Sequence, residues 1–146
     1  MFDTPFDRGG SPVLSAISAA SEQWNARHTP PRPDCPRWRA ISETGIFSLA
    51  CSPERPFSER CLEIIQGMER LGELCEDGGF AFSVATHLAS TLTALDRFAS
   101  QELRDEVLAD LVSGRSIGAH AISEAEAGSD ALAMQTTATR DGEAYI

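Results

Sequence analysis

The chain has 146 residues, 42% of them hydrophobic and 23% charged, and its formal net charge is −10. This size and composition suit one compact domain and exclude two full-sized ones. The 22 acidic residues against 12 basic ones argue against a nucleic-acid partner, because phosphate binding needs clustered lysine and arginine. An anionic ligand held by backbone N–H groups stays compatible with this charge.

The sequence carries no membrane or zinc pattern. No basic-then-apolar leader opens the chain, and no run approaches the ~20 apolar residues that span a bilayer. The cysteines form no C-x-x-C pair, and the histidines complete no zinc pattern. We therefore expect a cytoplasmic protein with no membrane partner and no metal, whose cysteines are reduced and half-buried.

Helix signals dominate the first 115 residues. After ten residues that we expect to be disordered, Ser11 suits the cap and Pro12 the first turn of a helix within residues 11–27. Beyond a proline-rich break, a short helix is predicted at residues 38–43, stopped by Gly45 and followed by an apolar run at 46–50. An apolar stripe over residues 57–71 predicts a longer helix that ends near Cys75, with the stripe in the core or at a subunit interface.

Two further helices are predicted before residue 115. Apolar residues from Phe80 to Leu95 recur in steps of four and three, and the small residues between them indicate a helix covered on more than one side. Ser100 suits the cap of the next helix, and Gly114 suits its end. The solvated side of that helix is predicted from its acidic residues, which are Glu102, Asp105, Glu106 and Asp110.

The sequence pattern changes after Gly114. Residues 116–122 and 133–140 are predicted strands, and Asp141–Gly142 is a hairpin turn signal before a returning strand. A sheet of these pieces alone would keep an unpaired edge. We therefore expect a fragment, or a chain that another chain completes.

The loop between the predicted strands is rich in small and hydrogen-bonding residues. Gly128 has no Cβ, so a ligand can approach the backbone there. The N–H groups of Ser129 and Asp130 can face a phosphate oxygen, and Ser123 can donate to a flat heteroaromatic ring. The same residue types also form ordinary turns, so their spacing alone leaves both interpretations open.

The stretch IGAHAISEAEAGSDALAMQTTATRDGEAYI resembles the central segment of the acyl-CoA dehydrogenase family. In that family a strand ends in Thr or Ser, then come Glu-Pro, one variable residue, Ala-Gly-Ser-Asp and a hairpin. Two positions depart from this pattern: Ala125 replaces the usual proline, and His120 replaces an aromatic or apolar residue. The resemblance extends back to about residue 38. The matching positions are Ser123, Glu124, Ala127, Gly128, Ser129, Asp130, Thr136, Ala138, Gly142 and Tyr145.

The resemblance implies a mainly α chain, in which an N-terminal helical bundle precedes the first strands of a small β-domain, incomplete here. The implied domains are a tail and first helix at 1–30, a helical domain at 31–115 and the start of a flavin-binding β-domain at 116–146. FAD is the implied cofactor, and Ser129 also approaches the pantetheine arm of the substrate. Glu124 and Asp130 are expected to fix the loop by accepting N–H bonds. The implied flavin contacts are His120, Ala121, Ile122, Ser123, Gly128 and Ser129.

The resemblance also implies a reaction and its partners. In the family, FAD takes a hydride from the β-carbon of an acyl thioester while a base removes the α-proton. The implied substrate is an acyl-CoA or acyl-carrier-protein thioester, the electrons pass to an electron-transfer partner or oxygen, and the full-length protein is a homo-oligomer. The family's base lies in a C-terminal helical domain. We therefore predict no catalytic residue in these 146 residues, and little or no activity for them alone.

Two other functions share these sequence features. A flavin oxidase or monooxygenase can use the same scaffold, since a fold does not set the chemistry. A non-enzymatic helical interaction remnant could keep only part of the site. In the family, the acyl chain lies between the helices and the β-domain. The resemblance therefore implies an acyl tunnel, and its candidate lining residues are Phe80, Phe82 and His87.

Overall fold

The computed structural model describes residues 11–25, 32–52 and 54–146, and it confirms a mainly helical chain with the start of a β-region. The expected disorder of residues 1–10, the prolines at positions 30 and 31, and His28 lie outside the described residues. Ser11 is the N-cap residue of the first helix and Pro12 lies in its first turn, as predicted, but the Ser11 side chain makes no capping hydrogen bond.

The helices follow one another with short connections. The N-terminal half contains α1 (Pro12–Ala19), α2 (Ser21–Trp24), α3 (Pro36–Glu43), α4 (Ile46–Ala50) and α5 (Phe57–Leu74). Then α6 (Gly78–Thr86) passes through a π-helical turn (His87–Leu92) into α7 (Thr93–Phe98), and α8 (Gln101–Val112) follows. The single helix predicted within residues 11–27 is thus two pieces, and the apolar run at 46–50 is itself a helix.

Capping residues explain where several helices begin and end. Asp77 Oδ1 accepts the N–H of Phe80 at 3.1 Å at the start of α6, and Ser100 Oγ accepts the N–H of Leu103 at 3.3 Å at the start of α8. Gly45 and Gly114 take left-handed φ values of 83° and 72° after α3 and α8. The predicted roles of Ser100, Gly45 and Gly114 are therefore confirmed.

The hydrophobic core lies among α1, α3, α4, α5 and the long helical run that contains the π-helical turn. Trp24 and Phe80 stack with ring centroids 6.3 Å apart, and Trp38 packs on Phe47 at 5.2 Å. A Cβ added to Gly67 of α5 would lie 2.9 Å from Ile46 Cδ1, so α5 packs closely against α4. The stripe over residues 57–71 is only partly in the core, because Leu71 is buried while Ile65 is 58% exposed.

A network of ion pairs and hydrogen bonds, centred on the buried Arg60, joins α4, α5, α7 and α8. Arg60 of α5 donates from Nη1 to the carbonyls of Leu49 and Ala50, at 3.0 and 2.7 Å, and so caps the C-terminal end of α4. Its Nη2 lies 3.7 Å from Asp96 of α7, which also pairs with Arg104 of α8 at 3.2 Å. Burial, with the Asp96 charge, raises the pKa of the Cys51 thiol to about 11, so this thiol is protonated at neutral pH.

The β-region is smaller than predicted. Its described strands are β1 (Arg140–Asp141) and β2 (Ala144–Tyr145), an antiparallel pair around Gly142, whose φ is 63°. The hairpin prediction is confirmed, but the strands predicted at 116–122 and over most of 133–140 are wrong. Residues 117–123 form no β-ladder, and the Gly118 N–H bonds to the His87 side chain. Residues 131–133 form a 3-10 turn.

None of the helices within the described residues combines the length and the apolar character needed to cross a membrane.

The acidic residues predicted on the solvated side of α8 are all exposed. Cys35 and Cys75 are buried, and Cys51 and Cys61 are partly buried. These findings agree with the predicted exposure of the α8 carboxylates and burial of the cysteines.

Candidate functional site

The candidate site is the segment that leaves α8 and runs to the hairpin. Gly114 ends the helix, and the N–H of Ser116 then donates to the Asp110 carbonyl at 3.1 Å, which turns the chain back along α8. Ile117 is partly buried and packs against the hydrophobic core. The position of the residues that follow depends on the next hydrogen bond between this segment and the helices.

The next attachment is made by His87, in the π-helical turn. Its Nε2 lies 3.0 Å from the Leu111 carbonyl oxygen of α8, and its Nδ1 lies 3.0 Å from the backbone N–H of Gly118. A carbonyl only accepts and an N–H only donates, so the ring is neutral and carries its hydrogen on Nε2. Burial lowers the pKa of His87, which favours this neutral form.

Gly118 also contacts the same turn through Thr91. A Cβ added to Gly118 would lie 2.1 Å from Thr91 Cγ2 and 2.5 Å from its Oγ1. Since real side-chain carbons do not approach so closely, no larger residue fits at 118 without displacing the chain. Glycine is therefore required here by packing.

Glu124 fixes the other end of this stretch. Its N–H donates to the Ala127 carbonyl at 2.8 Å, and its carboxylate accepts the N–H groups of Gln135 and Thr136, each at 2.8 Å. The Thr136 hydroxyl donates to the same carboxylate. These bonds lower the pKa of Glu124 and tie the two sides of the loop together, which confirms the structural role predicted for this residue.

The predicted flavin contacts lie on either side of Glu124. Residues 120–123 fill the interval between Gly118 and Glu124, and Gly128 and Ser129 lie beyond the turn that Glu124 closes. A Cβ added to Gly128 would meet no atom within 4 Å, in contrast to Gly118. The positions are all exposed, namely His120, Ala121, Ile122, Ser123, Gly128 and Ser129.

Two surface depressions of the described residues lie elsewhere. Each has a volume of about 310 Å³, one between α1 and α3 and one between α4 and α8, and neither is lined by a predicted flavin contact. The proposed acyl-tunnel set is not brought together either. Phe80 and His87 are buried in the core while Phe82 is 73% exposed. The predicted flavin contacts of the loop are therefore exposed and line neither depression.

Sequence reasoning predicted the Glu124 anchor but missed the attachment of Gly118 to His87. His87 lies on the apolar face that also carries Phe80, Val84 and Leu88, where a histidine is a visible irregularity. Its partner Gly118 is 31 residues away, so no local pattern links them. Among the described residues no cluster of three His, Cys, Asp or Glu side chains could hold a metal ion.

The fold and this loop define a class: a helical domain that leads, through an anchored glycine-containing loop, into the beginning of a β-region. No family model matches the chain, and no solved structure matches it. Curated proteins do match. An L-prolyl-[peptidyl-carrier protein] dehydrogenase of a Serratia species is 43% identical over 79 residues, which are 54% of this chain and 20% of that protein.

Other relatives carry the same kind of name. The L-prolyl-[peptidyl-carrier protein] dehydrogenase of Pseudomonas fluorescens is 32% identical over 105 residues, 70% of this chain and 27% of the relative. A short-chain specific acyl-CoA dehydrogenase of Clostridium acetobutylicum is 32% identical over 85 residues, 58% of this chain and 22% of the relative. The chain is thus similar to curated proteins named as acyl-CoA or L-prolyl-[peptidyl-carrier protein] dehydrogenases, and it spans about a quarter of the length of these relatives.

Proposed function

We propose that the chain supplies the helical domain and the first flavin contacts of an FAD-dependent dehydrogenase that oxidises an acyl thioester. The observation that carries the proposal is the exposed loop between two fixed points, Gly118 and Glu124, with open backbone at Gly128. The names of the relatives, which are dehydrogenases, support the reaction class.

The residues of the loop suit a flavin by their chemistry. Ala121 and Ser123 are small, so a planar ring can lie against the backbone between the two anchors. Gly128 offers main-chain N–H with space beside it, the arrangement that suits a diphosphate oxygen. Ser129 adds a hydroxyl donor there, and we assign it the pantetheine arm of the substrate as well.

Bound FAD would supply the hydride acceptor for the β-carbon of the acyl group. The chain's own residues would bind and orient: Ser123 donates at the ring edge, and Gly128 and Ser129 donate at the diphosphate. No residue of the chain is assigned the removal of the α-proton. The domains we propose are residues 1–30, 31–115 and 116–146, as the resemblance implies.

The substrate class follows from the two kinds of relatives. Two carry names that specify a prolyl group on a peptidyl-carrier protein, and one specifies short-chain acyl-CoA. We propose a short or cyclic acyl group on a phosphopantetheine thioester, in the cytoplasm and in a homo-oligomer, with an electron-transfer partner or oxygen as acceptor. The free thiols of Cys51, Cys61 and Cys75 agree with a reducing compartment.

The test is FAD binding by the natural polypeptide that contains residues 1–146. Binding is measured by the quenching of flavin fluorescence. Gly128→Val puts a branched side chain where the backbone must be approached, and we expect at least about tenfold weaker binding, as for loss of one good hydrogen bond. Gly72→Val is the matched control, because Gly72 is an equally open glycine on α5, and it should bind FAD normally. Absence of FAD binding by the unsubstituted polypeptide would overturn the proposal.

Substrate oxidation is tested on the same preparation. Bleaching of the flavin by butyryl-CoA or by a prolyl thioester on its carrier protein is the expected result. A flavoprotein that neither thioester reduces, but that consumes oxygen with another substrate, would instead be an oxidase on the same scaffold.

A further inference from the structure

The π-helical turn His87–Leu92 interrupts an otherwise continuous helix from Gly78 to Phe98. Insertions of this kind widen one turn of a helix and recur where function needs a particular side-chain direction. Here the turn contains His87, which bonds to Gly118, and Thr91, which lies against it. The interruption and the attachment of the loop therefore coincide.

The imidazole of His87 is held on all sides. Its two nitrogens bond to Leu111 and Gly118, and the rings of Trp38 and Phe47 pack edge-on at 5.1 and 4.6 Å between centroids. The side chain has no solvent exposure. It cannot rotate without breaking two hydrogen bonds and two ring contacts, so it is a rigid link between α8 and the loop.

Gly118 is fixed from a second direction by Thr91. The Thr91 methyl and hydroxyl occupy the space that a side chain at 118 would need. Together the hydrogen bond and this contact determine both the position and the orientation of the Gly118 peptide. Residues 120–123 then run from this point to the bonds of Glu124.

We propose that His87 is a positioning residue for the flavin-contacting segment: by accepting the Gly118 N–H, it sets the place of residues 120–123 relative to the helical domain. This inference rests on the proposed function, because it gives the anchored segment a ligand to face. His87 itself touches neither cofactor nor substrate. It acts through Gly118, with Glu124 holding the opposite end of the segment.

Two amide substitutions separate the two halves of the His87 link. In His87→Asn, the side-chain oxygen lies near the former Nδ1 and can still accept from Gly118. In His87→Gln, the amide nitrogen lies near the former Nε2 and can still donate to Leu111, but the bond to Gly118 is lost. We expect His87→Asn to bind FAD within about threefold of wild type and His87→Gln to bind about tenfold more weakly.

Amide hydrogen exchange at Gly118 gives a readout that a general loss of stability would not imitate. In His87→Gln, exchange should accelerate at Gly118 while the core amide of Leu71 stays protected. In His87→Asn, the Gly118 amide should stay protected as in wild type. Leu92→Ala is the control, since Leu92 is fully buried in the same turn and supplies none of the three atoms nearest to a Cβ built at Gly118. It should lower stability and leave FAD affinity within about twofold.

The possible failures are distinguishable. If wild type binds FAD, and His87→Gln binds it equally well with an unchanged Gly118 amide, the positioning role is wrong and the proposed function stands. If Leu92→Ala weakens FAD binding as much as His87→Gln does, the effect is one of stability, and the positioning role is again wrong. If wild type binds no FAD, both the proposed function and this inference fall.

Discussion

His87 accepts the backbone N–H of Gly118 at 3.0 Å, across 31 residues of sequence. With the bond from its Nε2 to the Leu111 carbonyl, this ring joins the end of α8 to the start of the loop. Both bonds together require the neutral ring with hydrogen on Nε2. The protonation state of one buried side chain is therefore coupled to the order of the candidate site.

This coupling predicts a pH dependence of stability. Burial lowers the pKa of His87 in the folded protein, whereas the unfolded chain protonates near the ordinary value of 6.5. Below 6.5 the unfolded state binds more protons, so the free energy of unfolding falls as the pH falls, until the lowered pKa of the folded state is reached. Urea unfolding between about pH 7.5 and pH 5.5 measures this slope.

His87→Asn supplies the comparison, because asparagine does not titrate. Its stability should change less over the same pH interval than that of wild type. Equal slopes for the two proteins would show that His87 is not the titrating group. The folded state should also show the Nε2–H tautomer by the ¹⁵N chemical shifts of the ring.

Gly118→Ala should destabilise the protein. The added methyl would lie 2.1 Å from Thr91 Cγ2, so either the helix or the loop must move, at a cost of about 1–3 kcal/mol. Gly72→Ala is the matched control: Gly72 is exposed on α5 with no atom within 4 Å of an added Cβ. It should gain about 0.5–1 kcal/mol from better helix propensity. Chemical denaturation measures the free energy of unfolding of both variants. A Gly118→Ala variant as stable as wild type would contradict the close packing of Gly118 on Thr91.

Arg60→Met should be among the most damaging single changes. It removes the donors to the Leu49 and Ala50 carbonyls and leaves Asp96 with only Arg104, and we expect a loss of about 3 kcal/mol. Arg70→Met, on the same helix, breaks only an exposed pair with Glu73 and a bond to the Ser18 hydroxyl. That control should lose no more than about 1 kcal/mol. Similar losses in the two variants would show that burial of the network adds nothing.

The helical half of the fold is largely readable from sequence, because its signals are local. Capping at Ser100, the stops at Gly45 and Gly114, and the hairpin turn at Asp141 each depend on residues within a few positions. Ser11 occupies the predicted N-cap position of α1, but its buried hydroxyl bonds to no N–H of the helix. Helix α1 begins at Pro12, in agreement with the predicted first turn.

The loop is predictable only in part. Glu124 was expected to accept loop N–H groups, and it does, but the strands predicted on either side of it are mostly wrong. A strand needs a ladder partner, and small residues such as those at 116–122 carry no information about where that partner is. The Gly118 N–H bonds to His87, and neither that pairing nor the π-helical turn leaves a local signal in the sequence.

Glu124→Gln should loosen the loop without unfolding the helices. The carboxylate accepts the N–H groups of Gln135 and Thr136, and an amide in its place turns one acceptor into a donor that faces an N–H. We expect amide exchange at Thr136 to accelerate about tenfold and proteolysis of the loop to become faster, with thermal unfolding of the helices unchanged. Glu126→Gln removes the same charge from an exposed neighbour and should change neither measurement.

The pH profile of wild type gives an independent check on the same contact. Because the bonds lower the pKa of Glu124 below 4.5, their contribution to loop order is complete above that pH and disappears only as the pH falls through the lowered value. Protection of the Thr136 amide should therefore persist through 4.5 in wild type and be low at every pH in Glu124→Gln. Loss of that protection well above pH 4.5 in wild type would mean that another group holds the loop.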